Sequence, residues 1–265
     1  MHPWFERTEL PRVLAHRGLV TADAADHGVT ENSFAAVAQA HAAGAIYVES
    51  DCHRTSDGRI VLFHDDDLLR ITGDPRRVSQ VTERELEHLM ADRGGLISLP
   101  QALESFPTLR FNLDVKAPDA AADVGRLVAE DGARVLLTSF SDARRRAACE
   151  AAESEIERRG EGIRPATSAG VNTLAKVVSA VALRSAVLVR HAVAGIDALQ
   201  IPERRGRLAV LSPRLIEYAH EAGVEVHVWT VNDPAEMRRL LHLGVDGLVT
   251  DRADLALSVV AENRR

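Results

Sequence analysis

The sequence predicts a (β/α)8 barrel, the α/β fold in which eight parallel strands close into a cylinder inside a ring of helices. Eight short β-rich runs, near residues 13–15, 46–50, 111–115, 135–138, 165–168, 198–201, 224–229 and 247–250, alternate with helical patterns, as crossover-linked parallel strands do. A local grammar also recurs. His41-Ala42-Ala43-Gly44, His220-Glu221-Ala222-Gly223 and His242-Leu243-Gly244 each end a helical pattern on a glycine and lead into a β-rich run. Glycine suits that place because the backbone turns left-handed just past a helix. The length of 265 residues suits one such barrel, which takes ~250 residues, so residues 1–265 read as one domain. An open doubly wound sheet uses the same units; polar residues gathered at the strand ends favour the closed form.

The elements follow in order. Residues 33–43 form the first helical pattern, with Asn32 before it as N-cap, a position that rewards a side-chain acceptor. Asp57-Gly58 before Arg59-Ile60-Val61-Leu62-Phe63-His64 reads as a hairpin turn after the second strand. The stretch 65–107 is then long for one βα connection, and predicts a small excursion over the barrel mouth with its own helix at 83–90. The patterns 213–222 and 234–243 open on proline, which fits a first helical turn. Residues 153–164 carry many charges and read as a solvated helix end and loop.

Composition excludes several functions. With 32 basic and 39 acidic residues the net charge is −7, so no positive excess is present to neutralise nucleic-acid phosphates. Ten aromatic residues are few for a base-stacking surface. Charges interrupt every apolar run well short of the ~20 residues of a membrane span. The start, Met1 to Arg7, lacks the basic-then-apolar layout of a secretion signal. Cys52 and Cys149 make no disulfide framework and read as free thiols, so the expected location is the cytoplasm.

The chemistry-bearing residues fall at the ends of the first strands. Glu49 and Asp51 stand two apart on a strand, so their carboxylates share a face. At the C-terminal end of a barrel strand that face looks into the mouth, where such folds keep their active sites. Adjacent carboxylates repel unless a cation or proton lies between them, and a hard divalent cation is one resolution; a surface pair is the other reading. Asp114 and Lys116 likewise share a face, between apolar Phe111, Leu113 and Val115. They read either as a structural ion pair or as a third carboxylate beside a cation for an anionic substrate. His16-Arg17-Gly18 follows the first strand. Arg17 can fork onto a phosphate, Gly18 permits close backbone approach, and His16 suits proton transfer near neutral pH. His64 ends the hairpin run, ahead of Asp65-Asp66-Asp67, whose side chains cannot all face one point. Two histidines, two cations and three carboxylates together describe phosphodiester cleavage.

In order, His16-Arg17-Gly18, Glu31-Asn32-Ser33, Glu49-Ser50-Asp51, Val61-Leu62-Phe63-His64-Asp65, Asn112-Leu113-Asp114-Val115-Lys116, Val228-Trp229-Thr230-Val231-Asn232 and the closing run from Gly244 to Asp251 resemble the glycerophosphodiester phosphodiesterase family. Each motif alone is weak; seven in order, spanning about residue 12 to 255, are specific. The resemblance implies a (β/α)8 barrel that hydrolyses a glycerophosphodiester to an alcohol and sn-glycerol 3-phosphate, using Mg²⁺ or Ca²⁺. It implies Glu49, Asp51 and Asp114 as metal ligands and His16 and His64 as the acid/base pair. Arg17 and Lys116 would bind the phosphate. Glu31 and Asn32 would support these groups, and Trp229 would shape the pocket near the glycerol, or else serve as a core aromatic. The expected partner is a small-molecule substrate, with no nucleic acid and no stable membrane insertion.

Two departures stand out. The family has Glu where this chain has Asp114, one methylene shorter. The stretch Ile97-Ser98-Leu99-Pro100-Gln101 lacks the proline–threonine–leucine–acid pattern of relatives. The competing readings are a phosphodiesterase directed at lysophospholipids, a non-catalytic barrel that binds a phosphorylated ligand, and a metal-dependent sugar isomerase. The retained histidines weigh against the second. Arg17 beside Lys116 weighs against the third.

Overall fold

Alternation along the strands sets both layers of the molecule. In the computed structural model, which describes residues 2–6 and 10–263, the strands are β1 (Arg12–His16), β2 (Tyr47–Arg54), β3 (Ile60–Leu62), β4 (Arg110–Val115), β5 (Val135–Thr138), β6 (Ala166–Thr167), β7 (Ala198–Pro202), β8 (Arg204–Arg205), β9 (Leu208–Ala209), β10 (Glu225–Trp229) and β11 (Gly247–Thr250). Eight of them run parallel in the order β6-β5-β4-β2-β1-β11-β10-β7. A parallel bridge between Ser168 and Ala198 joins the two ends of that order and closes the barrel. Outward-facing Val13, Val48, Phe111, Leu113, Leu137, Leu199, Val226 and Leu248 pack with the helices into one core. Each of the eight expected runs overlaps a barrel strand. Met1 and Arg7, at the ends of the stretch read for a secretion signal, lie outside the described residues. No helix among the described residues is long and apolar enough to cross a membrane.

The barrel bottom is closed by the chain's own beginning. Trp4 and Phe5 pack under Leu14, Tyr47, Leu136, Ala166, Ala198 and Val249. The Trp4 indole donates to the Phe111 carbonyl at 3.1 Å. Beside it, buried Arg12 pairs with Glu225 at 2.7 Å and donates to the Tyr47 hydroxyl at 2.8 Å. These contacts satisfy the charges that the bottom buries, which an apolar layer alone could not do.

The excursion after β2 is as expected, and it carries its own small core. β3 pairs antiparallel with β2, and Gly58 takes φ 82° in the turn between them. Val61, Phe63, Leu68, Val78, Val81, Leu86 and Met90 bury one another. The helix Glu83–Met90 starts on a capping box in which Thr82 accepts from the Glu85 amide and Glu85 accepts from the Thr82 amide. The divergent stretch after Ile97 lies against β3: the Leu62 amide donates to the Ile97 carbonyl at 3.0 Å, and Ser98 bridges Val61.

One local expectation is corrected. The helix Phe34–Ala42 is capped by Ser33, whose hydroxyl accepts from the Ala36 amide at 3.1 Å, and not by Asn32. Asn32 takes φ 55° and sends its amide into the barrel. The charged segment 153–164 is the helix end and loop expected of it: it is helical as far as Arg159, in the helix Asp142–Arg159, and Gly160 stops it at φ 79°. The β8–β9 ribbon has no counterpart in the sequence reading, because its strands are two residues long and show no apolar alternation.

Trp4→Ala should lower the unfolding free energy by about 3–5 kcal/mol, the scale for emptying a buried aromatic site. Urea denaturation measures it; a loss below about 1 kcal/mol would mean that Trp4 does not close the barrel.

Candidate active site

Strand register brings the acidic residues together. On β2, Tyr47 faces the barrel bottom and the same face then carries Glu49 and Asp51. β4 lies alongside in parallel, with Asn112 opposite Glu49 and Asp114 opposite Asp51. All four polar side chains therefore point into the mouth at the C-terminal rim, and all four line its cavity. Lys116, just past β4, places its ammonium 2.8 Å from Asp51 Oδ1 and 2.7 Å from Asp114 Oδ2.

Arg17 reaches the same carboxylate from β1. Its Nε lies 3.2 Å from Asp51 Oδ2, and its Nη1 donates to Glu31 at 2.8 Å. Asn32 Nδ2 donates to Asp51 Oδ2 at 2.9 Å and its Oδ1 accepts from the Ser50 hydroxyl. Arg17 (φ 59°) and Asn32 (φ 55°) hold left-handed backbones, a conformation that costs a non-glycine residue about 1–3 kcal/mol and clusters at functional sites. Gly18, at φ 89°, is required for packing: a Cβ there would sit 2.6 Å from the Ala36 carbonyl carbon. The close approach this glycine permits is thus to the helix Phe34–Ala42.

The three carboxylates do not share one charge state. Burial pushes Glu49 up to about 8, and the neighbouring Asp51 charge adds to the shift. Burial would raise Asp51 as well, but Lys116 and Arg17 outweigh it and hold Asp51 below the usual range. Burial carries Asp114 above its ordinary value despite Lys116. Lys116 is raised: its two carboxylates outweigh its own burial. Glu49 Oε2, Asn112 Oδ1 and Asp114 Oδ1 are buried without a hydrogen-bond partner.

Both histidines reach the cavity, each held by a carboxylate. His16 Nδ1 donates to Asp251 Oδ1 at 2.6 Å, and its Nε2 is 3.8 Å from Glu49 Oε2. Burial alone would lower the imidazole pKa; the Asp251 hydrogen bond and the Glu49 charge raise it above its ordinary value. Asn232 donates to Asp251 Oδ2 at 2.7 Å and accepts from the Asp251 amide at 2.9 Å. His64 Nδ1 donates to Asp65 at 2.6 Å, Asp65 accepts from Arg70 at 2.6 Å, and Arg70 donates to Glu31 at 2.6 Å. This chain of charges ties His64 to the Glu31 that also holds Arg17. Buried His53, next on the inward face of β2, donates to the His64 carbonyl at 3.2 Å and fixes that backbone. Asp66 and Asp67 are exposed and do not join Asp65.

Across the mouth lies a different wall. Phe140 and Trp229 meet edge-on with centroids 5.8 Å apart, and Lys116 sits 5.6 Å from the Phe140 ring centre. Leu174 and Val210 extend the apolar side, Gln200 stands between, and the cavity encloses about 580 Å³. Among the described residues no three His, Cys, Asp or Glu side chains already surround a point where a metal ion would sit. Every expected site residue except Glu31 and Asn32 lines the cavity, and those two contact residues that do. Sequence reasoning gave no role to Asn112, Asp251, Asn232, Arg70, His53 or Phe140. Asn112 was findable from its position two residues before Asp114; Asp251 from its place just after the last strand.

A barrel with this constellation at its C-terminal mouth is a hydrolase of phosphoric diesters. The chain belongs to the glycerophosphoryl diester phosphodiesterase family, whose model matches residues 16–255. It is 33% identical over 250 residues to a Mycobacterium tuberculosis protein described as "Probable glycerophosphodiester phosphodiesterase 2", covering 93% of this chain and 89% of that one. A glycerophosphodiester phosphodiesterase of Caldanaerobacter subterraneus is 25% identical over 269 residues, covering 94% of this chain and 97% of the relative. An Oleispira antarctica phosphodiesterase, solved in complex with the product sn-glycerol-3-phosphate, superposes with a TM-score of 0.70 at 21% identity, over 95% of this chain and 97% of that one.

Lys116→Met leaves Asp51 and Asp114 buried without their shared cation. Chelator-treated protein should then lose about 3–5 kcal/mol of stability, the cost of breaking a buried ion pair from one side. Urea midpoints test this; an unchanged midpoint would show that the ammonium does not hold the two strands' charges.

Proposed function

We propose that this chain hydrolyses glycerophosphodiesters to an alcohol and sn-glycerol 3-phosphate, with a divalent cation and with His16 and His64 as the acid/base pair. The observation that carries the reading is the convergence of both imidazoles, both basic side chains and three carboxylates on one cavity. The product named for the Oleispira relative supports the choice of substrate.

The donor set suits a hard cation. Glu49 Oε2, Asn112 Oδ1 and Asp114 Oδ1 are oxygens buried with no partner, and oxygen donors are what Mg²⁺ and Ca²⁺ take. Glu49, Asp51 and Asp114 would hold the ion; when bound it supplies charge neutralisation at the phosphoryl oxygens. The shorter Asp114, against the family's Glu, sets how closely β4 reaches it.

The residues of this chain do the rest. Arg17 and Lys116 hold the non-bridging phosphate oxygens and stabilise the charge that grows on them in the transition state. One imidazole takes the proton of the attacking oxygen and the other protonates the departing alcohol. Asp251 and Asp65 fix both rings through Nδ1, which leaves Nε2 of each as the exchanging position. Glu31 orients Arg17, and Asn32 orients Asp51. Trp229 forms the wall against which the glycerol lies. Cys52 and Cys149, both unpaired, fit a reducing cytoplasmic setting.

His16→Ala and His64→Ala should each lower kcat by at least about 10², the usual scale for lost acid/base catalysis, with unchanged circular dichroism. Near-normal turnover in either variant would remove that residue from the mechanism. For the cation, metal-stripped protein is assayed on glycerophosphocholine and glycerophosphoethanolamine with Mg²⁺, Ca²⁺ or Mn²⁺ restored separately. Glycerol 3-phosphate release should appear only after a cation is added. Full activity of the stripped protein would overturn the metal requirement, and release from lysophosphatidylcholine alone would move the substrate to lysophospholipids.

A further inference from the structure

The mouth carries positive charge that the hydrolysis leaves unused. After β7 the chain rises into the β8–β9 ribbon, Arg204–Arg205 paired antiparallel with Leu208–Ala209. The amides of Val210 and Leu211 donate to the Glu203 carbonyl at 3.0 and 3.1 Å and clamp the ribbon's base. Gly206 turns it at φ 59°, so the ribbon is a built projection. Arg204 and Arg205 line the cavity mouth, and Arg207 is exposed at the ribbon's tip beside them.

None of these three arginines forms an ion pair with a described residue. Arg204 donates to the Arg207 carbonyl at 3.1 Å and to no carboxylate. Carboxylates are not scarce: the chain has 39 acidic against 32 basic residues. An exposed arginine nearby finds one, as Arg239 does with Glu203 at 2.7 Å. Like charges held together on a short ribbon repel, and an anion bound between them would relieve that repulsion.

Position fixes the kind of anion. In the barrel order, β7 stands diametrically opposite β2, the strand of Glu49 and Asp51. In the proposed reaction the scissile phosphate belongs to the β1–β2–β4 side, with Arg17 and Lys116, and the ribbon faces it from across the mouth. A cavity of about 580 Å³ lies in the range that encloses a drug-sized ligand, larger than a glycerol and one phosphate need. A guanidinium fork matches a phosphate monoester, with its two charges.

We propose that Arg204 and Arg205 bind a second phosphate, carried on the alcohol part of the substrate, so that the enzyme prefers phosphorylated head groups. The proposal rests on the phosphodiesterase reading above. The test compares glycerophosphoinositol 4-phosphate with glycerophosphoinositol, which differ by that one group. Wild-type kcat/KM should favour the phosphorylated substrate at least about tenfold, worth about 1.4 kcal/mol, and the preference should shrink as salt rises. R204Q/R205Q should bring the ratio near one, and R205Q alone should fall between.

A wild-type ratio near one, or the same preference in an active double variant, overturns the proposal and leaves the phosphodiesterase reading standing. No hydrolysis of either substrate overturns that reading and this one with it. Sedimentation with phosphatidylglycerol vesicles separates the remaining source of anionic phosphate. Vesicle binding that the double variant loses, with the substrate ratio unchanged, assigns the arginines to a lipid surface and overturns the proposal.

Discussion

Asp51 is the group around which the mouth is assembled. It is almost fully buried, and it accepts from or pairs with Lys116 of the β4 end, Arg17 of the β1 end and Asn32 of the segment before the first long helix. Three separate pieces of chain therefore take their positions from one carboxylate. An unpaired charge in that place would be prohibitive, so the partners follow from the burial. The strained backbones of Arg17 and Asn32 are held by the same contacts. Their amide and carbonyl are joined directly, Asn32 N donating to Arg17 O at 2.9 Å.

The barrel separates stability from chemistry along its axis. Its lower layer is packed by Trp4, Phe5, Leu14 and Val249, with one satisfied ion pair between Arg12 and Glu225. Its upper layer leaves oxygens without partners. A protein selected for stability alone would have filled or paired those atoms. The lower layer can carry the upper one because strand alternation delivers both from the same strands: Tyr47 and Asp51, four residues apart on β2, face the two ends of one interior.

Local pattern made most of this legible. Period-two spacing put Glu49 with Asp51 and Asp114 with Lys116 on shared faces, and glycine stops marked the strand entries at Ala45, Val224 and Val245. The failures came where a distant partner decides. Asn32 is as good a cap by type as Ser33, and only the bond to Asp51, 19 residues on, turns it inward. Asp251 holds His16 across 235 residues of sequence, a relation no window contains. The ribbon at Arg204 is built from backbone pairing between four exposed residues, so hydrophobic periodicity has nothing to register there.

Charge in the mouth is where the fold and the reaction meet. Lys116 and Arg17 are already committed to Asp51, and Asp51 is accordingly held low while Glu49 rises to about 8. The positive charge supplied by the side chains thus favours ionised Asp51, while burial raises Glu49 and Asp114. A phosphodiester adds a further negative charge to the same space. It enters readily only if positive charge arrives with it, from protonated imidazole or from a cation on the unpartnered oxygens of Glu49 and Asp114. The ammonium that pairs with Asp51 and Asp114 in this structure is the group assigned to the phosphate in the proposed reaction, so that side chain would exchange one set of contacts for the other.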